Sequence, residues 1–334
     1  MNRTYWPTIQ WQYKEPQELQ LDGDVFTDIE NEIHSNHSNI NGIVIVKNGF
    51  IVYENYFNGC NAQHVHHVAS ATKSVLSALV GIAIDKGFIK DVKQKVVDFF
   101  PEYNLDGSGS VKNEITIEHL LTMTAPYIFE NFQEPLEELS KQDDWVAYAL
   151  NMLGNNGKVG DFKYSTSGAH LLSGIISKST GMNAQLFANQ YLFQPIGMKQ
   201  IPDYNMDMFG FEELFGNKIK GWAKDPQEIT TGGWGLTLTP SDMARFGFLY
   251  LNQGQWNGEQ IISEAWIKKS TEHNLNHYGY LWWLRNDNGI SSYAAIGDGG
   301  NVICCIEELD LVVSIASSFL MEPKDRWELI KKLF

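Results

Sequence analysis

The sequence predicts an α+β fold, with one antiparallel sheet built from both chain ends, flanking helices and an inserted helical region. Three observations point there. A hairpin signal lies near the start, several short strand-like runs lie near the end, and helical periodicity dominates the stretch between them. On that pattern the chain divides into a discontinuous α/β domain at residues 1–85 and 216–334 and a helical domain at 86–215. With 334 residues, 43% of them hydrophobic, the chain can bury a large core.

Taken in order, Val25, Ile29 and Ile33 recur at helical spacing and predict an amphipathic helix from Gly23 to Ser35. Gly42–Lys47 and Phe50–Tyr56 flank Asn48-Gly49, the dipeptide that most strongly favours a two-residue hairpin turn. The next run, His64 to Leu79, reads as a strand leading into a helix, and from Ser74 onward almost every residue is apolar or small, as in a helix packed on all sides. Further helices are expected at Val92–Phe99, at Ile117–Leu121 behind a capping Thr116, at Trp145–Met152 and at Gly168–Lys178. Ala125 to Asp144 reads as a long loop. Thr239-Pro240-Ser241-Asp242 is a helix start, with Thr as N-cap, Pro in the first turn and an acid at the positive dipole end, leading into Met243–Asn252. Tyr280–Arg285, Tyr293–Ile296, Asn301–Ile306 and Leu311–Ala316 read as strands, and Lys324–Leu333 as a closing helix.

The net charge of −15 argues against a nucleic-acid or anionic-membrane partner. No uninterrupted apolar run approaches a membrane span, and the first residues lack the apolar core of a secretory leader, so a cytoplasmic location is expected. Cys60, Cys304 and Cys305 form an odd set and read as reduced thiols, the last two on opposite faces of one strand.

The chemistry centres on Ser70-Ala71-Thr72-Lys73. At the first turn of a rigid helix, Ser70 and Lys73 fall on one face, where hydroxyl and amine can meet, and the free N–H groups of the helix start can stabilise an oxyanion. A capped, buried helix with a surface lysine produces the same tetrapeptide, so other residues must complete the site. A serine hydroxyl needs a base within hydrogen-bond reach. Tyr164, just before the helix that begins near Gly168, is placed to relay a proton between Ser70, Lys73 and a leaving group.

At this point the sequence resembles the serine β-lactamase and penicillin-binding-protein-like hydrolases, including their esterase and aminohexanoate-oligomer hydrolase branches. Ser70 to Lys73 resembles the family's Ser-x-x-Lys, and Tyr164-Ser165-Thr166 its Tyr-x-Asn. Ile117 to Thr124, Gly232 to Gly247 and Tyr278 to Trp283 resemble its framework segments, all in the family's order. The resemblance implies a β-lactamase/transpeptidase-like fold, an acyl-enzyme on Ser70, Lys73 as general base or its activator, and Tyr164 as proton shuttle. No cofactor and no metal are expected.

The third motif departs from the pattern. Where the family carries Lys-Thr-Gly or His-x-Gly, this chain reads Ala295-Ile296-Gly297-Asp298-Gly299-Gly300-Asn301. Glycine still lets a backbone N–H approach an oxyanion, and Gly297 or Asp298 is expected to supply that donor, with Gly299 beside it. A substrate carboxylate would meet Asp298 rather than a lysine, and Thr166 stands where the family uses an amide. The expected partner is therefore a small-molecule ester or amide, neutral or cationic. A β-lactamase, a D-Ala-D-Ala carboxypeptidase type of penicillin-binding protein and a catalytically retired binding or sensor module are the alternatives; oligomeric state is left open. Tyr127 and Trp234, with Phe129, Phe132 and Trp222, are candidates for an aromatic wall, and the walls are expected from Ala125–Asp144 and Tyr204–Asp225. His64, His66 and His67 mimic a metal cluster but lack a completing ligand set, and His170 reads as a core histidine. Asp161 reads as a turn residue, and Asp143-Asp144 and Glu137-Glu138 as a solvated face.

Overall fold

The structure, a computed structural model, describes residues 3, 5–103, 111–154, 157–206 and 218–334. Its centre is a six-stranded antiparallel sheet made of β1 (Ile40–Lys47), β2 (Phe50–Tyr56), β3 (Trp283–Asp287), β4 (Ile290–Gly297), β5 (Asn301–Ile306) and β6 (Leu311–Ser317). The spatial order is β2-β1-β6-β5-β4-β3, so strands from both ends of the chain meet where β1 pairs with β6, Ile43 opposite Ile315. The hairpin turn forms at Asn48 (φ 52°) and Gly49 (φ 88°), the two left-handed positions that this turn type demands.

Alternation along the strands builds two cores. Val44, Val46, Ile303, Cys305 and Val312 point to one face, and Ile43, Ile45, Val302, Cys304 and Val313 to the other. Cys304 and Cys305 thus part company as their adjacency requires. The first face is covered by α2 (Thr72–Asp85) and α5 (Pro240–Leu251), the second by α1 (Asp24–Asn36) and α6 (Trp327–Ile330). Between α2 and α5 in the chain come α3 (Trp145–Met152) and α4 (Thr166–Thr180), which pack on each other, with α4 also packed on α2. A further cluster of Leu139, Trp145, Ile219, Ala223 and Trp234 packs across residue 216, where the sequence suggests a domain boundary.

Several elements differ from expectation for identifiable reasons. Val92–Phe99 forms just one 3₁₀ turn at Val96–Phe99, because Val96 N–H and the Val92 and Gln94 carbonyls bond instead to residues 115–118. The strand expected from Tyr280 starts at Trp283, since Leu281 is left-handed (φ 61°) and donates its N–H to Leu121. The closing helix is two short turns starting at Trp327, whose N–H is capped by the Asp325 carboxylate. The loop from Ala125 to Asp144 contains a helical turn at Leu136–Ser140. Asp144, expected on a solvated face, caps α3 by accepting from Ala147 N–H at 2.8 Å and also accepts from the Tyr103 hydroxyl.

Candidate active site

Ser70 sits in a 3₁₀ turn, Ala69–Ala71, that runs directly into α2. Every α2 residue from Thr72 to Ala83 is buried, so the turn is mounted on a helix with no solvent face to yield. Ala69 holds a left-handed φ of 48°, an uncommon conformation for a residue with a Cβ, and Thr72 Oγ1 stabilises it by donating to Ala69 O at 2.7 Å.

Lys73 is 1% exposed. Its Nζ donates to Ser70 Oγ at 3.0 Å, to Thr166 Oγ1 at 3.2 Å and to Gly233 O at 2.8 Å. Three neutral oxygens therefore surround the amine. Gly233 is required for this approach, because a Cβ there would lie 2.5 Å from Thr166 Cγ2 and 3.3 Å from the Lys73 amine. Thr166, expected on the substrate side, is the first residue of α4 and serves Lys73 as an acceptor while also lining the cleft. Tyr164 approaches through its ring: the Lys73 Nζ lies 4.8 Å from the ring centroid, and the phenol hydroxyl makes no hydrogen bond to Ser70 or Lys73.

The opposite wall is the end of β4. Pairing with β3 stops at Ala294–Trp283, and Gly297 lies against the Ser70 turn so closely that a Cβ would sit 2.1 Å from Val68 O and 3.1 Å from Ser70 N. Asp298 is exposed at the rim, and Gly299 (φ 81°) and Gly300 (φ 82°) complete the turn into β5. Gly300 N–H donates to Gly297 O at 3.1 Å. A trans peptide aims its N–H opposite its C=O, so the Asp298 N–H points out of the turn.

Ser70, Tyr164, Thr166, Trp234, Gly297, Asp298 and Gly299 share one cleft of about 600 Å³. Tyr127 does not join them: it is 1% exposed, its ring stacks on Phe129 and its hydroxyl presses on Gly168 from within the core. Burial pushes its phenol well above the ordinary tyrosine range, as expected of a core residue and not of a wall. Phe132, one of the candidates for the aromatic wall, lines the cleft, and so do Trp283, Arg285 and Glu134, which nothing in the sequence singled out as site residues. Phe132 and Trp283 both stack on the Tyr164 ring, at 5.6 and 5.8 Å between centroids. Glu134 accepts from the N–H groups of Thr166 (2.5 Å) and Ser167 (2.7 Å), placing a carboxylate on the positive end of α4, and Asn131 Oδ1 accepts from Tyr164 N–H at 2.9 Å. A slightly larger cavity of about 650 Å³, lined by Trp11, Tyr13, Glu54, Lys199 and Lys220, contains none of Ser70, Lys73, Tyr164 and the Gly297–Gly300 turn. Residues 207–217 of the second expected wall lie outside the described residues.

The histidines separate. His64 is exposed and outside the strand, His66 is buried beside Asn41, and His67 lines the cleft and accepts from Gly235 N–H at 2.9 Å, so the three do not share a face. His170 is buried and bonds the Asp225 carboxylate at 3.0 Å, a core pair. Asp161 is exposed in a turn.

A sheet covered by helices on both faces, with a serine at a buried helix start and a lysine one turn on, defines the class of serine-hydrolase folds built around Ser-x-x-Lys. The sequence profile of the Beta-lactamase family matches residues 37–331, and the chain belongs to that family of hydrolases. A 6-aminohexanoate-dimer hydrolase from Paenarthrobacter ureafaciens is 23% identical over 239 residues, a match covering 67% of this chain and 55% of that protein, so the chain spans about half the length of that relative. Among solved structures, a penicillin-binding protein from Bacillus halodurans superposes with a TM-score of 0.69 at 16% identity, over 92% of this chain and 100% of its own. EstCE1, described as a hydrolase with promiscuous acyltransferase activity, superposes with a TM-score of 0.71 at 15% identity, over 95% of this chain and 98% of its own. At these identities the two structures establish the fold. Among the described residues, no helix is long and apolar enough to cross a membrane.

Proposed function

We propose that this protein hydrolyses small-molecule esters or amides through an acyl-enzyme on Ser70. The observation that carries the reading is the buried Lys73 amine, 3.0 Å from Ser70 Oγ and surrounded by neutral oxygens. In the neutral form of Lys73, whose lone pair faces the Ser70 hydroxyl while its two N–H groups donate to Thr166 and Gly233, Ser70 Oγ attacks the substrate carbonyl carbon as its proton passes to Lys73 Nζ. The carbonyl oxygen becomes an oxyanion held between the N–H groups of Ser70 and Asp298. Collapse expels the alcohol or amine, which takes a proton from Lys73, directly or by way of the Tyr164 hydroxyl. Water then attacks the acyl-enzyme with Lys73 as base, and Ser70 is released. The likeness to a hydrolase with acyltransferase activity supports this reading, since an acyl-enzyme can pass its acyl group to water or to another nucleophile.

The cleft favours substrates without a carboxylate near the scissile bond. Its cations are engaged: Lys73 as described, Arg285 with Asp325 at 2.7 Å, Lys324 with Asn36 Oδ1 at 2.5 Å, and Arg326 buried under the Gly299–Gly300 turn. Asp298 adds a negative charge at the rim. Ester or simple amide hydrolysis is therefore favoured over β-lactams and D-Ala-D-Ala peptides. The test is turnover of p-nitrophenyl acetate, an anilide and nitrocefin by wild type and Ser70→Ala, with mass spectrometry after a p-nitrophenyl phosphonate. Ester turnover lost in the variant and an adduct on Ser70 support the reading; full activity in the variant, or an adduct elsewhere, overturns it.

A further inference from the structure

The turn that presents the Asp298 N–H is folded over a guanidinium. Arg326 is 2% exposed, and its nitrogens donate to Gly299 O at 3.0 Å, Gly300 O at 3.2 Å, Asn39 Oδ1 at 2.8 Å and Ser317 Oγ at 3.3 Å, and also to His37 Nδ1. Asn39 adds a second donor to Gly299 O at 2.7 Å. Every one of these acceptors is neutral at neutral pH, since burial holds His37 down at about 4. Asp325, the adjacent carboxylate in sequence, turns away to Arg285. Among the described residues no carboxylate forms an ion pair with Arg326. Asp325 therefore acts on the buried guanidinium only at longer range, and nearly all of the Arg326 donors are spent on one turn and its supports.

The peptide planes connect this cation to the site. Arg326 and Asn39 fix the Gly299 carbonyl, and the same peptide carries the Gly300 N–H, which is thereby turned onto Gly297 O at 3.1 Å. With the Gly297 carbonyl taken up in the turn, the N–H of its own peptide, that of Asp298, is left facing outward beside Ser70.

We propose that Arg326 is the positioning residue of the oxyanion site: it sets these peptide planes so that the Asp298 N–H stays aimed at the developing oxyanion, and it leaves a fixed positive charge behind that donor. The proposal rests on the Ser70 acyl-enzyme reading. It places a cation behind a turn whose strand carries no lysine, with one difference in kind: the guanidinium is 2% exposed and borders the cleft from beneath the turn, bonded to the turn itself. Because its donors are spent on the turn and its supports, its contribution falls on the transition state and not on substrate binding, and it belongs in kcat rather than KM.

The experiment compares wild type, Arg326→Gln, Arg326→Lys, Asn39→Ala and Trp327→Phe for kcat and KM on p-nitrophenyl acetate, rate of labelling by a p-nitrophenyl phosphonate, and Tm. Arg326→Gln is expected to lower kcat and the labelling rate by about 10- to 100-fold, with KM within about 2-fold. Arg326→Lys recovers part of the loss, and Asn39→Ala shows a smaller loss of the same kind. Trp327→Phe loosens the same helix by removing the Trp327 Nε1 bond to Asp287, and it leaves kcat intact. The proposal is overturned if Arg326→Gln keeps wild-type kcat, if the change falls on KM alone, or if Trp327→Phe reproduces the kcat loss at matched Tm. Should Arg326→Gln fail to fold, Asn39→Ala decides by the same readouts. A wild type that neither turns over ester nor takes the phosphonate brings down the Ser70 reading and this proposal together; a wild type labelled on Ser70 at the same rate as the variants brings down this proposal alone.

Discussion

The two walls of the cleft are built in opposite ways. On the nucleophile side, Ser70 and Lys73 belong to one four-residue stretch, and the helix that holds them buries residue after residue of its own sequence. On the oxyanion side, the Asp298 turn owes its shape to Asn39, His37, Ser317 and Arg326, with Asn39 and Arg326 separated by 287 positions in sequence. A local device tolerates changes elsewhere in the molecule; a remote one depends on the whole sheet being in register. Damage on the nucleophile side should therefore be abrupt and confined to its own residues and the two that touch the Lys73 amine, Thr166 and Gly233. On the oxyanion side it should be graded and should arrive from a distance.

The largest effect is expected where the two walls touch the chemistry directly. Ser70→Ala should lower ester turnover by about 10⁴-fold or more, measured as kcat against a buffer blank. Gly297→Ala puts a Cβ 2.1 Å from Val68 O, so strand and turn must separate; kcat should fall by about 10²- to 10³-fold, the scale of losing one oxyanion donor. An alanine variant with normal kcat would show that the walls need not meet. Next comes Thr166→Val, which takes one acceptor from Lys73 and keeps the shape; about 10-fold in kcat with little change in Tm is expected. If Tm falls and kcat does not, the threonine serves α4 rather than the amine.

Acid separates the walls by another route. His37 and His66 are both held down at about 4 by burial, against an ordinary 6.5. The unfolded chain takes up protons on both as pH falls below about 6.5 while the folded chain does not, so the stability they confer is present above 6.5 and drains away down to about 4. The urea midpoint should fall between pH 7 and pH 5, and His37→Asn should flatten part of that slope. Around His37 stand Arg326, Glu32 at 3.9 Å, Lys324 and Asp325, so its protonation sets two cations side by side beneath the oxyanion turn. A midpoint that stays level across that range removes the histidines from the account. The smallest effect is expected at the cleft mouth. Phe132→Ala exposes Tyr164 but leaves Lys73 in place, and a change of KM within about 5-fold is predicted on small esters.

How far the site is legible from sequence follows the same division. The hairpin, the buried α2, the Ser-x-x-Lys pair and the Tyr164 segment all announce themselves within a few residues. The Asn48-Gly49 turn, for instance, needs only two left-handed positions. The family pattern also locates the Gly297 turn. It gives no hint of what holds that turn, because Arg326 is a single arginine near a closing helix and its partners become neighbours only once β1 and β6 pair. Glu134 is hidden for a different reason: it sits among Glu130, Glu137 and Glu138 in a loop, where nothing periodic sets one acid apart from the next. Tyr127 misleads because aromatic residues in a loop suit a wall and a core equally, and contact with Gly168 decides for the core.

One detail of the cleft changes how substrate size should register in the kinetics. The loop bearing Phe132 is latched by Asn131 to the Tyr164 N–H and by Glu134 to the Thr166 and Ser167 N–H groups. Mouth and machinery are thus one mechanical part. A bulky substrate that pushes Phe132 outward pulls on the residues that stack over and bond to the Lys73 amine, so an oversized molecule can be seated and still be processed slowly. Selectivity of this kind acts like a torque limiter: it shows up in turnover, and a screen that ranks ligands by occupancy alone would pass over it.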